Sequence, residues 1–377
     1  LTGMRVGDVT PRLDRLLASL YNNVPAGVGS SNKSLAVSGR EFEQVLELGA
    51  RWAVKKGYAP PGDLDAHEDA GCIAGADPDA VSAKAIERGQ PQLGTLGSGN
   101  HFLELDVVDL VADAETARGF GLFEGQVVVL VHTGSRGLGH QVCDDHVHGM
   151  VSAASRHGIA LPDRQLACAP VTSVEGREYF GAMAAAANFA FANRELIVFL
   201  IRKTFEEVFG GSFERLGMRM LFDCCHNIAK MERIEWGGRR IDACVHRKGA
   251  TRALPPGDSR LPERFRRTGQ PVLVPGDMGR MSFILAGATG ARETFYSACH
   301  GAGRLLSRHE AKKRAKGRNI IDELRSRGIH AMAASRATLA EEIPDAYKDV
   351  SDVVDTMTGA GIATAVARLR PFAMVKG

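Results

Sequence analysis

Five histidines of this chain lie inside strings dense in Gly, Ser or Asn: GTLGSGNHFLEL around His101, VHTGSRGLGHQV around His132, DCCHNIAK around His226, VHRKGATR around His246 and SACHGAGRLLSR around His300. Short apolar runs lead into several of them. Val127 to Val131 runs straight into His132, Met220 to Phe222 precede the His226 string, Cys244 and Val245 precede His246, and Val272 to Val274 precede Pro275 and Gly276. This arrangement constrains the fold, because it calls for short strands that deliver polar strings to one rim. Val127 to Val131, continuously apolar, suits a sheet buried on both faces. A lone His beside Gly is ordinarily a turn residue. Five are a different matter, since Gly lets backbone N–H groups approach an anion while imidazole can bind a transition metal or attack phosphorus. Together the strings point to a metal-assisted phosphate site.

Helical signals flank these strands. Thr10 and Pro11 read as N-cap and first helical residue, followed by Leu13, Leu16, Leu17 and Leu20 at helical spacing. Ser38 with Glu41 reads as a capping box ahead of a face made by Phe42, Val45, Leu46 and Gly49. Residues 57 to 79 are loop-like, with Pro60 and Pro61 together. A strand is expected at Phe102 to Val108, an Ala-rich helix over about Gly181 to Phe209, and another helix from Gly303 through the basic segment that ends at Arg318. There is no repeat and no strong linker. The fold class expected is α+β, with mixed sheets carrying the site and helices packed outside, in one domain over residues 1–377.

Composition excludes more than it identifies. A chain of 377 residues with 44% hydrophobic content can bury a large core. Its 47 basic and 44 acidic residues leave a net charge of +3, so nucleic-acid binding would need local clustering, as in RLLSRHEAKKRAKGR from Arg304 to Arg318. Aromatics at 6% make base stacking a minor term. Seven cysteines, an odd number and without a C-x-x-C pair, argue against a disulfide framework or a zinc knuckle and suit a reducing cytoplasm. No apolar run reaches the roughly 18 residues of a membrane span, because the Ala-rich stretch ends in Asn193, Arg194 and Glu195. The common nucleotide and metal signatures are absent: no G-x-G-x-x-G, no Gly-Lys of a P-loop and no H-E-x-x-H.

What remains is a dispersed constellation. His101 and Leu103 should share one face of their strand, with Phe102 on the other. His132, closing a strand, could hold a metal or donate to a backbone carbonyl. His300, followed by Gly301, Ala302, Gly303 and Arg304, is the sharpest string, since a neutral imidazole can attack an activated phosphoryl group while small residues let amides meet its oxygens. With VPGDMGRMSFIL and the C-terminal Met-Val-Lys-Gly, these strings resemble the RtcB family of GTP-dependent RNA ligases from about Val9 to Gly377.

That resemblance implies manganese ligands at His101, His132 and His226, and a His300 that becomes guanylylated by GTP. It implies a GTP or GMP pocket from Asn100, Phe102, Leu103, Glu104, Asn227, Pro275, Gly276, Asp277, Met278, Ser282, Gly301, Ala302, Gly303 and Lys376. Asp277 stands where several members carry a small hydroxyl residue, so the neighbouring backbone carries more of the expectation than its side chain. The implied reaction opens a 2′,3′-cyclic phosphate, transfers GMP from His300 to the 3′-phosphate, and lets a 5′-hydroxyl displace GMP, in tRNA splicing or RNA repair. Cofactors would be two manganese ions and GTP, and the partner would be broken RNA, with room for an activating protein. Arg136, His246, Arg247, Lys248 and Arg252 form a basic tier that either holds RNA phosphates or pairs with acids.

Family members also carry a D-x-x-C-G string upstream of the matched region, whose Cys and Asp complete the metal site. This chain has none and opens Leu-Thr-Gly. The reading is therefore of a chain shortened at its N-terminus that binds fewer manganese ions than an extended one. A metal phosphodiesterase that opens cyclic phosphates without ligating, and a non-catalytic RNA- or GTP-binding remnant, are the alternatives.

Overall fold

A computed structural model describes residues 1–377, the side chain of Arg164 excepted. The fold is α+β. It divides into two compact units, one of Leu1–Val28, Leu96–His132 and Leu200–Gly377, the other of Gly29–Thr95 and Thr133–Phe199.

The first unit holds all ten strands: β1 Phe102–Val111, β2 Val127–His132, β3 Asn227–Trp236, β4 Arg239–Lys248, β5 Ala250–Arg252, β6 Pro271–Val274, β7 Ser282–Gly287, β8 Ser297–Cys299, β9 His330–Ala333 and β10 Ala363–Lys376. A six-stranded sheet runs β2-β1-β10-β7-β6, with β9 added beside β10; β3 pairs with β4, and β5 with β8. All pairs are antiparallel except β9 with β10.

The 14-residue β10 organises the main sheet. Along one edge it pairs with β1; along the other it serves β7 through Ala363 to Leu369 and then β9 from Ala373. Pro371 falls in the gap between those two partners, and opposite β1 it sits at a register shift, Asp106 facing it. A residue with no N–H is tolerated in a central strand only at such an interruption. Hydrophobic clusters pack around Phe265 and Val108, around Val272 and Met357, and around Leu324 and Ile343.

The second unit is helical, with helices Arg40–Leu48, Ala50–Lys55, Ala83–Gly89 and Arg136–Arg156. Its polar interior is tied by Asn188, which donates to the carbonyls of Leu46, Glu47 and Ile73, and by the buried contact of His67 with Glu195 at 3.0 Å.

Several expectations need correction. Ser38 does not cap: Gly39, at φ 56°, is the N-cap of Arg40–Leu48 and no side chain accepts there, although Phe42, Val45 and Leu46 are buried as read. Met220 to Phe222 form no strand. The apolar β2 is a sheet edge, only half-buried from Val129 onward, because a continuous apolar run does not say which side of a sheet it occupies. Residues 303 to 307 are not helical; the basic segment is split into Arg308–Ala315 and Ile320–Ser326. The Ala-rich helix is longer than expected, Val174–Phe209, and is long and apolar enough to cross a membrane, but 78% of its apolar window is buried inside the protein.

β1 shows how far burial overrides polarity. Seven consecutive residues from Phe102 are buried, Glu104 and Asp106 among them. Neither carboxyl oxygen of Asp106 has a hydrogen-bond partner among the described residues, and burial pushes its pKa up to about 8. Below about pH 4 the folded and unfolded chains both hold this proton. Between there and pH 8 only the folded chain does, so stability falls as pH rises through that window and then levels. Asp106→Val should therefore stabilise the protein near neutral pH by about 2 kcal/mol and flatten this slope. Urea unfolding of both forms from pH 4 to 9 measures it; parallel profiles would refute the assignment.

Candidate catalytic centre

Four histidines arrive from four strand ends. His101 immediately precedes β1, His132 closes β2, His226 immediately precedes β3 and His300 immediately follows β8. The Nε2 atoms of His132 and His226 are 3.0 Å apart. His226 and His300 stack in parallel, centroids 4.0 Å apart and planes at 9°, while His132 stands edge-on to both at 5.1 Å. His101 lies 6.0 Å from His132, also edge-on. One backbone unit links two of them: the Gly249 N–H donates to the His226 carbonyl at 2.8 Å, and the His300 N–H donates to the Gly249 carbonyl at 3.1 Å.

Among the described residues, His132, His226 and His300 are the trio whose ligand atoms lie within 4.8 Å of one another. Burial, and then the neighbours His300, His226 and His101, hold the His132 pKa well below its ordinary value. A neutral imidazole is the ligating form. Nitrogen atoms bound about 2.1 Å from one ion lie roughly 3 to 3.5 Å from each other, so the His132–His226 spacing and the all-imidazole donor set fit a transition metal. The tightest trio thus contains His300 in place of His101, which stands one ring further out. The His300 ring is held from behind, its Nδ1 at 3.2 Å from the Leu273 carbonyl.

Beside the histidines lies a buried patch of charge. Lys376 is 4% exposed, its Nζ 5.3 Å from the Phe102 ring centroid, and its pKa is lowered by burial although Glu342, Glu104 and Asp277 oppose this. Glu104 is pushed well up by burial and by Asp106. Asp277, raised by burial, accepts from the Gly279 N–H at 3.0 Å and from Arg280 at 2.9 Å, so its side chain is engaged within its own turn. Ser282 accepts from the Gly276 N–H at 3.0 Å. A Cβ on Gly276 would overlap the Met281 carbonyl, which is why the turn needs glycine there. Pro275 and Met278 are buried and Leu103 is fully enclosed, whereas Asn100, Asn227 and Gly303 are exposed and Gly301 and Ala302 half-buried. Asn227 accepts from the Gly249 N–H at 3.2 Å.

Sequence reasoning missed Glu342 and Tyr347. Arg304 donates to the Glu342 carboxylate at 3.3 Å and to the Tyr347 hydroxyl at 2.9 Å, and Tyr347 donates to Glu342 in turn. Glu342 is 1% exposed and faces Lys376 electrostatically. Nothing in the local string around them marks a site.

The basic tier divides by burial. Arg247 has no exposed side-chain surface and forms an ion pair with Glu232. Arg252 is buried and donates to Gln270 at 3.2 Å, and Arg136 is buried in the second unit on the Thr95 hydroxyl, also at 3.2 Å, burial lowering its pKa to about 10. All three side chains are buried. His246 and Lys248 are exposed. In the basic segment Arg308 and Lys312 reach Glu341 and Arg318 reaches Glu323 and Asp345.

The fold and centre define a mixed α+β protein whose strand ends gather imidazoles, a metal-competent site and a buried ionic patch. The family description "tRNA-splicing ligase RtcB" matches residues 1–377. Proteins of that name from Pyrococcus abyssi, Thermococcus kodakarensis and Archaeoglobus fulgidus are 52%, 51% and 50% identical over the whole of this chain. The chain belongs to the RtcB family. It spans 41% of the length of the Pyrococcus abyssi relative and 78% of the other two.

Removing the one ammonium from the buried patch should be costly, since it leaves Glu104, Asp277 and Glu342 without their shared cation. Lys376→Met is expected to destabilise the protein by about 3 kcal/mol at pH 7. The loss should shrink at pH 5, where the raised carboxyls take up protons. Urea unfolding at both pH values tests this; an equal loss at each would show that charge is not the cause.

Proposed function

We propose that this chain is a GTP- and manganese-dependent RNA ligase that joins a 3′-phosphate or 2′,3′-cyclic phosphate end to a 5′-hydroxyl end through GMP carried on His300. The observation that carries the reading is the anchored ring. A carbonyl only accepts, so His300 Nδ1 must carry the hydrogen directed at Leu273, and the lone pair of the neutral imidazole then lies on Nε2, beside His132 and His226.

In the first half-reaction the Nε2 lone pair attacks the α-phosphorus of GTP. A P–N bond forms, the bond to the bridging oxygen breaks and pyrophosphate leaves. An oxygen of the RNA 3′-phosphate next attacks that phosphorus and the electron pair returns to Nε2. Finally the 5′-hydroxyl attacks the 3′-phosphorus, loses its proton, and GMP departs. A divalent metal such as manganese, held by His132, His226 and His101, would supply positive charge at the reacting phosphoryl group. Gly301 and Gly303 leave room for backbone amides to face phosphate oxygens. Lys376 is suited to donate to the guanine carbonyl, where adenine presents an amine.

Under this reading the partner is broken RNA, tRNA ends in the first place, and an activating protein is compatible with it. The seven free cysteines suit a reducing compartment such as the cytoplasm.

Incubation with radiolabelled GTP and manganese should give an acid-labile, base-stable protein–GMP adduct, and His300→Ala should abolish it. An undiminished adduct in that variant would move the nucleophile elsewhere; cyclic-phosphate opening with no adduct in the wild type would favour a phosphodiesterase. Lys376→Ala should narrow the preference for GTP over ATP by about tenfold, one hydrogen bond's worth of discrimination. Unchanged nucleotide competition would take Lys376 out of the pocket.

A further inference from the structure

We infer that Arg247, buried behind the catalytic histidines, is a positioning residue for His300. It acts through the strained bend that starts β8. The inference rests on the reading of His300 as the nucleophile and adds what sets its geometry.

The chain entering β8 does something costly. Phe295 and Tyr296, neither a glycine, both adopt left-handed backbone, at φ 52° and 54°. Such conformations persist only where the surroundings over-determine them, and they concentrate at functional sites. Here the backbone is held by the Tyr296 N–H on the Ala291 carbonyl at 2.6 Å and the Ala253 N–H on the Tyr296 carbonyl at 2.7 Å, and one guanidinium adds the side-chain grip. Arg247 donates through one terminal nitrogen to the Phe295 carbonyl at 3.0 Å and through Nε to the Ser297 hydroxyl at 3.0 Å. It thereby grips both ends of the bend. The planar fork is fixed in turn by Glu232, which is 8% exposed at its side chain, takes the other terminal nitrogen in an ion pair and accepts from the first at 3.1 Å. Tyr296 is turned inward beneath Arg260, whose guanidinium lies 4.3 Å over its ring.

Three residues beyond the bend is His300, and β8 is only Ser297–Cys299, too short to fix its own direction. Arg247 meanwhile stands on β4, two residues before Gly249, the backbone unit that joins His226 to His300. The same side chain therefore ties the nucleophile's strand to the hairpin that supplies His226. Lysine could not replace it, because a point charge cannot hold a carboxylate, a hydroxyl and a carbonyl in one plane.

A displacement of about 1 Å at a reacting atom costs on the order of a hundredfold in rate. Arg247→Ala should lower the kcat of His300 guanylylation by about that factor and move the GTP KM by less than about threefold. Added guanidinium ion should recover at least tenfold of it, whereas Arg247→Lys should not. Because the alanine variant leaves the buried Glu232 with only the longer Arg260 contact of 3.7 Å and could fail to fold, Ser297→Ala serves as the second variant. It severs one grip on β8 and keeps the ion pair, and a several-fold fall in kcat is expected without loss of unfolding free energy.

A readout independent of turnover is the rate at which diethyl pyrocarbonate modifies His300, followed by mass spectrometry on the full chain; both variants should change it, and guanidinium should reverse the change for Arg247→Ala. Folded variants with wild-type kcat and His300 reactivity would overturn the inference, as would a loss confined to KM or a loss that guanidinium restores only in stability. If the wild-type chain forms no adduct at all, the ligase reading fails on that observation, while the His300 reactivity still decides whether Arg247 positions the ring.

Discussion

One row across three strands carries the geometry of this centre. Register places Lys376 of β10 opposite Phe102 of β1, and Phe102 opposite His132 of β2. The Phe102 ring lies between the two, 5.3 Å from the ammonium and 5.4 Å from the imidazole centroid. A one-residue slip of any of these strands would turn its own member of the row to the opposite face. That register is secured at the very end of the chain, where Gly377 packs so closely on the Gly97 carbonyl that any Cβ would overlap it. Gly97 belongs to the same glycine-rich turn that leads into His101. Residues 376 and 377 thus pack into this part of the fold, where Lys376 is a buried cation.

Burying that cation shapes the charges around it. Glu104, Asp277 and Glu342 all stabilise it, yet three carboxylates exceed what one ammonium can balance. Desolvation answers the excess by raising Glu104 and Asp277 toward their neutral forms, and Arg304 takes part of the Glu342 charge. Asp106, one step further along β1 and without a partner among the described residues, is likewise pushed toward neutrality by burial. A patch balanced this way holds labile protons beside an ion, so its charge will respond to any ligand that brings donors or acceptors of its own.

How much of this the sequence disclosed depended on whether the signal was local. The histidine strings, the strands at β1, β2 and β6, and the leucine face of Leu13–Asn23 were all readable, because each is written in consecutive residues. The failures share a cause. Ser38 sits beside a glycine that took the cap, and the expected helix from Gly303 breaks because the chain there pairs Arg304 with Tyr347 in an isolated bridge instead. β2 is as apolar as a central strand, yet its place at the edge follows from which strands pair and not from its own composition. Glu342 and Tyr347 matter only because Arg304, about forty residues upstream in the chain, meets them in space, a partnership that no single-sequence pattern encodes.

The string VHRKGATR shows why residue type alone could not assign roles. Four basic residues stand there together, and strand alternation divides them. Arg247 faces inward with Val245 and meets Glu232; His246 and Lys248 face solvent on the opposite side of β4. Past Gly249, at φ 66°, Arg252 is again buried. The basic side chains of this string that remain exposed are one lysine and one histidine, both on the solvent face of the hairpin that follows His226. Any backbone-phosphate contact made here must therefore approach along that face, and its dependence on salt should be that of one or two cations and not of four.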